Sequence, residues 1–303
     1  MNKCHIIIVT YNAMPWIDKC LQSTGDFPVV VIDNASTDGT RSNIQNNYPK
    51  VTLLKQSINL GFGQANNIGI RYALDQGAEQ FFLLNQDAYI IDDTLERLAD
   101  FQMNQSEYGI LSPVHTTATR TRLDKNFYDY MYKERTGQFY MDFVLGNKIA
   151  SVYEIPFVNA ASWLISKECL KTVGGFDPLF FHYGEDDNYC QRVIFHNFKI
   201  GIIPNTYIIH DREGRTNNKP FPFSEDYFKI KENYYKVKYA NILTNHDIDT
   251  VIKKINRVIF KLILQFKIKR ASHFQKELKI LKKIKPRILM SRKINKAKGC
   301  HYI

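Results

Sequence analysis

Several absences narrow the function of this chain before any motif is considered. No stretch approaches the roughly 18 uncharged apolar residues that a membrane-spanning helix needs. The apolar run Ile6–Val9 is too short for a signal peptide and has no small-residue cleavage site behind it. Cysteine is scarce: five residues, at 4, 20, 169, 190 and 300, odd in number and never spaced as Cys-x-x-Cys. A disulfide framework or a thiolate zinc site is therefore not expected, and a reducing cytoplasm is the expected location. No Gly-x-x-x-x-Gly-Lys is present, which excludes a P-loop. Internal repeats are missing as well. Acid is nearly absent from one end: residues 251–303 hold 17 Lys and Arg against the single acid Glu277, a net +16. The remainder nets −5, so the overall +11 belongs to the tail of a mildly acidic body.

The 303 residues, 44% hydrophobic and 23% charged, are ordinary for a globular protein and leave room for one large domain or two modest ones. Short β-branched runs at Ile6–Thr10, Val29–Asp33, Val51–Lys55 and Phe81–Asn85 read as buried strands. Helical stretches lie between them near Pro15–Ser23, Thr37–Asn47 and Gly63–Gln76, and another is expected over Asp92–Met103. This alternation predicts an α/β fold with a largely parallel sheet. Residues 115–155, rich in Tyr, Lys, Arg and Thr, read as an irregular excursion or lid. A second ordered block follows: a strand at Phe157–Ile165, a helix at Glu168–Val173, a helix at Asp186–Asn197, and short strands at Lys199–Ile203 and Tyr207–Ile209. From about Asp226 the chain reads as helical to its end. The expected division is 1–225, with a nucleotide-binding half 1–114 and an acceptor half 115–225, followed by the basic helical region 226–303.

Each early strand ends in polar residues: Thr10-Tyr11-Asn12, Asp33-Asn34 and Asn85-Gln86-Asp87. Ligands of open α/β sheets sit at the carboxyl ends of strands, so convergence of these ends would make one site. The turn Asp33–Thr40 can hydrogen-bond a base or ribose, or merely cap a helix. In Asn59–Gly69, Gly61-x-Gly63 is only a partial dinucleotide loop, because Asn66 stands where a third glycine would be. Asn66 and Asn67 are costly in a helix interior, which suggests that their amides hold something. Asp87 either binds a divalent cation or caps the next helix. In Gly184-Glu185-Asp186-Asp187-Asn188, three acids at a helix start suit the macrodipole. They also raise one another's pKa, as a general base near neutral pH requires. His210 ends a β-like run and gains weight only if Asp87 lies near it.

Together these segments resemble the family 2 glycosyltransferases, in particular the inverting, rhamnosyltransferase-like enzymes. Five segments carry the resemblance, in the family's order over about residues 3–215. They are Ile8–Asn12, Val31–Gly39, Asn59–Gly69, Leu83–Asp87, and Gly174-Gly175-Phe176-Asp177-Pro178 through Glu185-Asp186 to Arg192. The resemblance implies a GT-A fold, a nucleotide-diphosphate sugar donor, a glycan or lipid-linked acceptor, and a divalent cation (Mg2+ or Mn2+) at the diphosphate. It places Thr10, Tyr11, Asp33 and Ser36 at the nucleoside and counts Asn12 and Asn34 among the residues that bind the nucleotide sugar. Gly61 and Asn66 fall on the donor loop, with Asn85 and Gln86 beside the donor. Asp87 becomes the last acid of the Asp-x-Asp metal motif, and His210 a residue near metal or diphosphate. Asp186 becomes the base, tuned by Glu185, and Arg192 a structural residue pairing with an acid. Two departures stand out: Asn85 replaces the first acid of Asp-x-Asp, and Asn188 stands where the family has an acid two residues after the base. Asp187 is thus an alternative base.

The tail repeats apolar residues at helical spacing with Lys and Arg between them. It reads either as an element for an anionic membrane surface, on the inner face of the plasma membrane, or as helices packing on the body or on another copy in a homo-oligomer. Two rival functions are a catalytically inactive nucleotide-sugar-binding protein, suggested by Asn85, and a nucleic-acid binder. No nucleic-acid partner is expected, because the positive charge is confined to the tail and no binding motif accompanies it.

Overall fold

A computed structural model describes residues 3–133, 137–212 and 220–303. The elements run β1 (Cys4–Thr10), α1 (Ile17–Gln22), β2 (Val29–Asp33), α2 (Thr40–Asn47), β3 (Thr52–Lys55), α3 (Phe62–Asp75), β4 (Gln80–Asn85), β5 (Ala88–Ile90), α4 (Thr94–Asn104) and β6 (Tyr108–Thr116). They continue through α5 (Lys125–Lys133), α6 (Gly137–Leu145), β7 (Tyr153–Glu154), β8 (Ser162–Ser166), α7 (Lys167–Val173), α8 (Glu185–Phe195) and β9 (Lys199–His210), ending with α9 (Glu225–Ala240), α10 (Ile248–Leu264) and α11 (Ile268–Lys296).

One sheet organises the body, in the order β3-β2-β1-β4-β8-β6-β9-β5, with β7 on β9. The strands β3, β2, β1 and β4 are parallel, while β8 runs antiparallel to both β4 and β6. Ile6, Ile8, Val31, Phe82 and Leu84 enter one apolar layer, and Ile7, Val30, Ile32, Phe81 and Leu83 the other. Both faces are covered, which is why these strands read as unbroken apolar runs rather than alternating ones.

The second half differs from the expectation in four places. Strand β6 falls in a stretch interrupted by Gly109, Ser112 and Pro113; a register shift at Ser112/Val114 accommodates the proline, which has no N–H to give a ladder. The expected strand at Phe157–Ile165 begins only at Ser162, so residues 157–161 remain loop. The two short strands at 199–203 and 207–209 are halves of one strand, β9, interrupted by a bulge in which Asn205 has φ 60°. The supposedly irregular 115–155 region holds α5 and α6, built around the buried Phe127, Met131 and Phe139.

The C-terminal helices form a third apolar cluster, in which Tyr235, Tyr239, Ile255, Ile259, Leu281, Ile284 and Ile288 pack with Leu179 and Phe180 of the body. Polar ties reinforce the junction. Asp177 Oδ2 accepts from Ser291 Oγ at 2.6 Å and from Asn295 Nδ2 at 2.8 Å, and the Gly175 N–H donates to the His301 carbonyl at 2.7 Å. One face of the basic tail therefore packs on the body.

Candidate active site

The polar strand ends do converge. Thr10 lies opposite Asp33 and Val9 opposite Asn85, which puts the ends of β1, β2 and β4 side by side. Cross-links hold them. The Tyr11 N–H donates to Gln86 Oε1 (2.8 Å), Asn12 N–H to Ser36 Oγ (2.9 Å), and Thr37 N–H to Asn12 Oδ1 (2.8 Å). Asp33 is fully buried; it accepts from Thr10 Oγ1 at 3.3 Å and from Ser36 N–H at 3.1 Å, and pairs with Arg41 Nε. Arg41, in the first turn of α2, is a contact that the sequence reading missed. Asn34 bridges to the donor loop, giving Nδ2–H to Asn59 Oδ1 and accepting Leu60 N–H, both at 2.8 Å.

That loop is locked against the segment that leads into the acidic helix. Gly61 has φ 80°, and a Cβ there would lie 1.9 Å from the Phe181 carbonyl oxygen. The amides of the neighbouring asparagines do hold something, namely backbone groups of the protein. Asn66 is buried and its Nδ2–H returns to the Phe62 carbonyl at 3.0 Å, one turn back in its own helix. Asn67 clamps Phe176 from both sides, donating to its carbonyl at 2.8 Å and accepting its N–H at 2.7 Å.

Glu185, Asp186 and Asp187 open α8 after Tyr183 (φ 65°) and Gly184 (φ 90°). Burial and the Asp186 charge push Glu185 up to about 8 and Asp187 up to about 7, and burial raises Asp186. The buried Glu185 Oε2 has no partner among the described residues, and neither does the side-chain amide of Asn188. Arg192 is fully buried and does not pair with an acid as expected. Its Nη1 donates to the Gly175 carbonyl at 2.7 Å and its Nη2 to that of Val173, so it caps α7 while its guanidinium stacks on Tyr189 and Tyr302.

Two cavities meet at this helix. The smaller, about 180 Å³, is lined by Asn85, Tyr130, Asn159, Glu185, Asp186, His210 and Arg212, among others. The larger, about 650 Å³, is lined by Tyr130, Phe157, Asp186, Asp187, Gln191 and Leu243, among others. Asp186 lines both; Asp187 lines only the larger. Tyr130, whose hydroxyl is pushed up by burial and by Asp186, and Arg212 were not singled out from the sequence. Arg212 stands two residues past His210, where the amide oxygen of Asn126, turned toward it, accepts from Nη1 at 3.1 Å.

His210 Nε2 lies 3.6 Å from Asp87 Oδ1, both buried, so the expected proximity holds. Its other nitrogen, Nδ1, faces Asp124 Oδ2 at 3.6 Å. The two carboxylates approach opposite sides of one ring, so they cannot share an ion with it. Among the described residues no group of three His, Cys, Asp or Glu is arranged to hold a metal ion. A carboxylate and an imidazole facing each other suit a divalent cation only when a ligand such as a diphosphate supplies further oxygens; imidazole favours Mn2+ over the harder Mg2+.

The chain is 27% identical over 240 residues to dTDP-rhamnosyl transferase RfbF of Shigella flexneri, covering 78% of this chain and 76% of that protein. It is 26% identical over 247 residues to the N-acetylglucosaminyl-diphospho-decaprenol L-rhamnosyltransferase of Mycobacterium tuberculosis, covering 71% and 78%. Among solved structures, the mannosyltransferase PcManGT from Pyrobaculum calidifontis, in complex with GDP-Man and Mn2+, superposes with a TM-score of 0.51 at 19% identity over 97% of this chain and 73% of that one. At that identity the likeness is one of fold, the GT-A α/β architecture. The model of "Glycosyl transferase family 2" matches residues 5–173, more than half of the sequence, from within β1 to the end of α7. The chain belongs to glycosyl transferase family 2.

Proposed function

We propose that this protein is an inverting glycosyltransferase that moves a sugar from a nucleotide-diphosphate donor to a hydroxyl of a glycan or lipid-linked saccharide in cell-surface polysaccharide synthesis. The observation that carries the reading is the position of Asp186 in the wall shared by two cavities. A base for single displacement must touch the acceptor hydroxyl while facing the anomeric carbon, and only a group on such a wall does both. The rhamnosyltransferase names of two relatives make a dTDP-linked 6-deoxyhexose the first donor to try and a lipid-diphosphate saccharide the first acceptor.

In this reading the strand ends around Asp33, Asn34 and Ser36 hold the nucleoside. Arg212, a cation on the smaller cavity, faces the diphosphate together with Asn85. Asp87 and His210 would hold a divalent cation, which neutralises charge on the departing nucleoside diphosphate. The Asp186 carboxylate takes the proton of the acceptor hydroxyl as its oxygen attacks from the face opposite the leaving group, so the anomeric configuration inverts. Glu185, largely protonated at neutral pH, keeps a second full negative charge from lying beside that carboxylate. Tyr130, neutral and on both cavities, orients the acceptor as a hydroxyl donor. The tail, with one face on the body, places the enzyme against an anionic membrane leaflet where a lipid-linked acceptor resides.

A thermal-shift screen over nucleotide sugars, with and without Mn2+ or Mg2+, followed by NMR of the product's anomeric centre, tests the proposal. Donor-dependent stabilisation with an inverted product supports it. A retained configuration would overturn the mechanism, and binding without transfer to any offered acceptor would favour the inactive reading that Asn85 suggests.

A further inference from the structure

We propose that the tip of the α10–α11 hairpin is a membrane-inserting element, with an anionic lipid bilayer as its occupant. This deepens the membrane reading of the tail and does not depend on which sugar is moved. The Lys285–Asp249 ion pair at 2.6 Å ties α10 to α11 at the root of the hairpin, Ser291 and Asn295 bond Asp177 of the body, and α11 runs about 25 Å from Lys285 back to Ile268. Ile255, Ile259 and Leu262 are buried along α10, and the packing stops after Leu262. Every residue from 263 to 270 is exposed. Phe260 is 63% exposed, Leu264 63%, Phe266 89% and Ile268 59%.

Two features separate this tip from ordinary surface. Phe266 turns the connector at φ 55°, a conformation unfavourable for a bulky L-residue, and it shows its ring to solvent there. The charge around the tip has one sign: between Asp249 and Glu277 there are eight Lys and Arg, including Lys261, Lys267, Lys269 and Arg270, and no acid. An apolar tip within a basic collar matches an anionic bilayer, whose acyl layer takes the apolar residues and whose headgroups pair with the lysines. A second copy would set like charges against each other at this surface. A nucleic-acid backbone would make no use of exposed Phe and Leu.

The test is flotation of the full chain with phosphatidylcholine vesicles and with phosphatidylcholine–phosphatidylglycerol vesicles, no sugar present. Wild type should float with the anionic vesicles and stay behind with the neutral ones. The triple variant Phe260→Ser, Leu264→Ser, Phe266→Ser should lose at least about tenfold in vesicle affinity with an unchanged Tm. The charge variant Lys267→Glu, Lys269→Glu, Arg270→Glu should lose a comparable amount. Leu289→Ser with Met290→Ser, exposed apolar positions away from the tip, should float like wild type. Full flotation of the apolar triple variant would overturn the proposal. So would an oligomer of wild type that this variant disperses, which would identify a second copy as the occupant. Neither outcome touches the donor chemistry, which is read by nucleotide binding.

Discussion

At the scale of single residues, burial raises the pKa of all three acids that open α8. Glu185 lies within the protein with a folded-state pKa of about 8 against an ordinary 4.5, burial being the main cause. Between those values the folded state holds a proton that the unfolded chain has released. Its contribution to stability is therefore complete below about pH 4.5 and is lost as pH rises through 8. Glu185→Gln should raise Tm relative to wild type at pH 8.5 and above, with the gain vanishing near pH 5, and calorimetry across that range reads it. The same titrations give activity its slope. The raised Asp186 predicts that kcat climbs with pH from the acid side as its carboxyl gives up its proton, a rise read from a pH–rate profile.

At the scale of elements, the motifs lock the loops around the site as well as facing it. Gly61 touches the Phe181 backbone, and Asn67 holds Phe176 by two buried hydrogen bonds. Gly61→Ala should cost at least about 2 kcal/mol and lower donor affinity, because the new methyl displaces the loop leading to Glu185. Asn67→Ala should cost about 2–4 kcal/mol, since it strands a buried N–H and C=O. Denaturant titration measures both. The parallel strands were legible because burial on both faces leaves continuous Val, Ile, Leu and Phe, and their polar ends announced the site. Strand β6 was not legible, since Ser112, Pro113 and His115 break its apolar run and only tertiary pairing with β8 and β9 makes it a strand. Asp124 escaped notice for a similar reason. Nothing near it in sequence predicts that Asp124, just before α5, brings its carboxylate to His210, 86 positions later. Tyr130 and Arg212 reach the cavity through the same long-range packing.

At the scale of the whole molecule, the basic tail and the catalytic body share their framework. The last residues return to the end of α7, where Gly175 N–H meets the His301 carbonyl and Gly299 N–H meets the Thr172 carbonyl, while Arg192 holds the same turn from inside. Deleting 297–303 should lower Tm by roughly 5 °C through these lost contacts. Nucleotide affinity should change little, since these backbone bonds reach Thr172 and Gly175 and none of the residues proposed to hold the nucleoside, and titration calorimetry separates the two effects. Charge asymmetry was visible in the sequence, but which face of the tail packs could not be read there, because Ile and Lys alternate too closely to mark the boundary between core and tip.

The most direct test of the account is a paired measurement on Asp186→Asn: donor dissociation constant and single-turnover transfer rate on the same preparation. The account predicts an unchanged dissociation constant with transfer reduced about 10²–10⁴-fold. Near-normal transfer by that variant would contradict it.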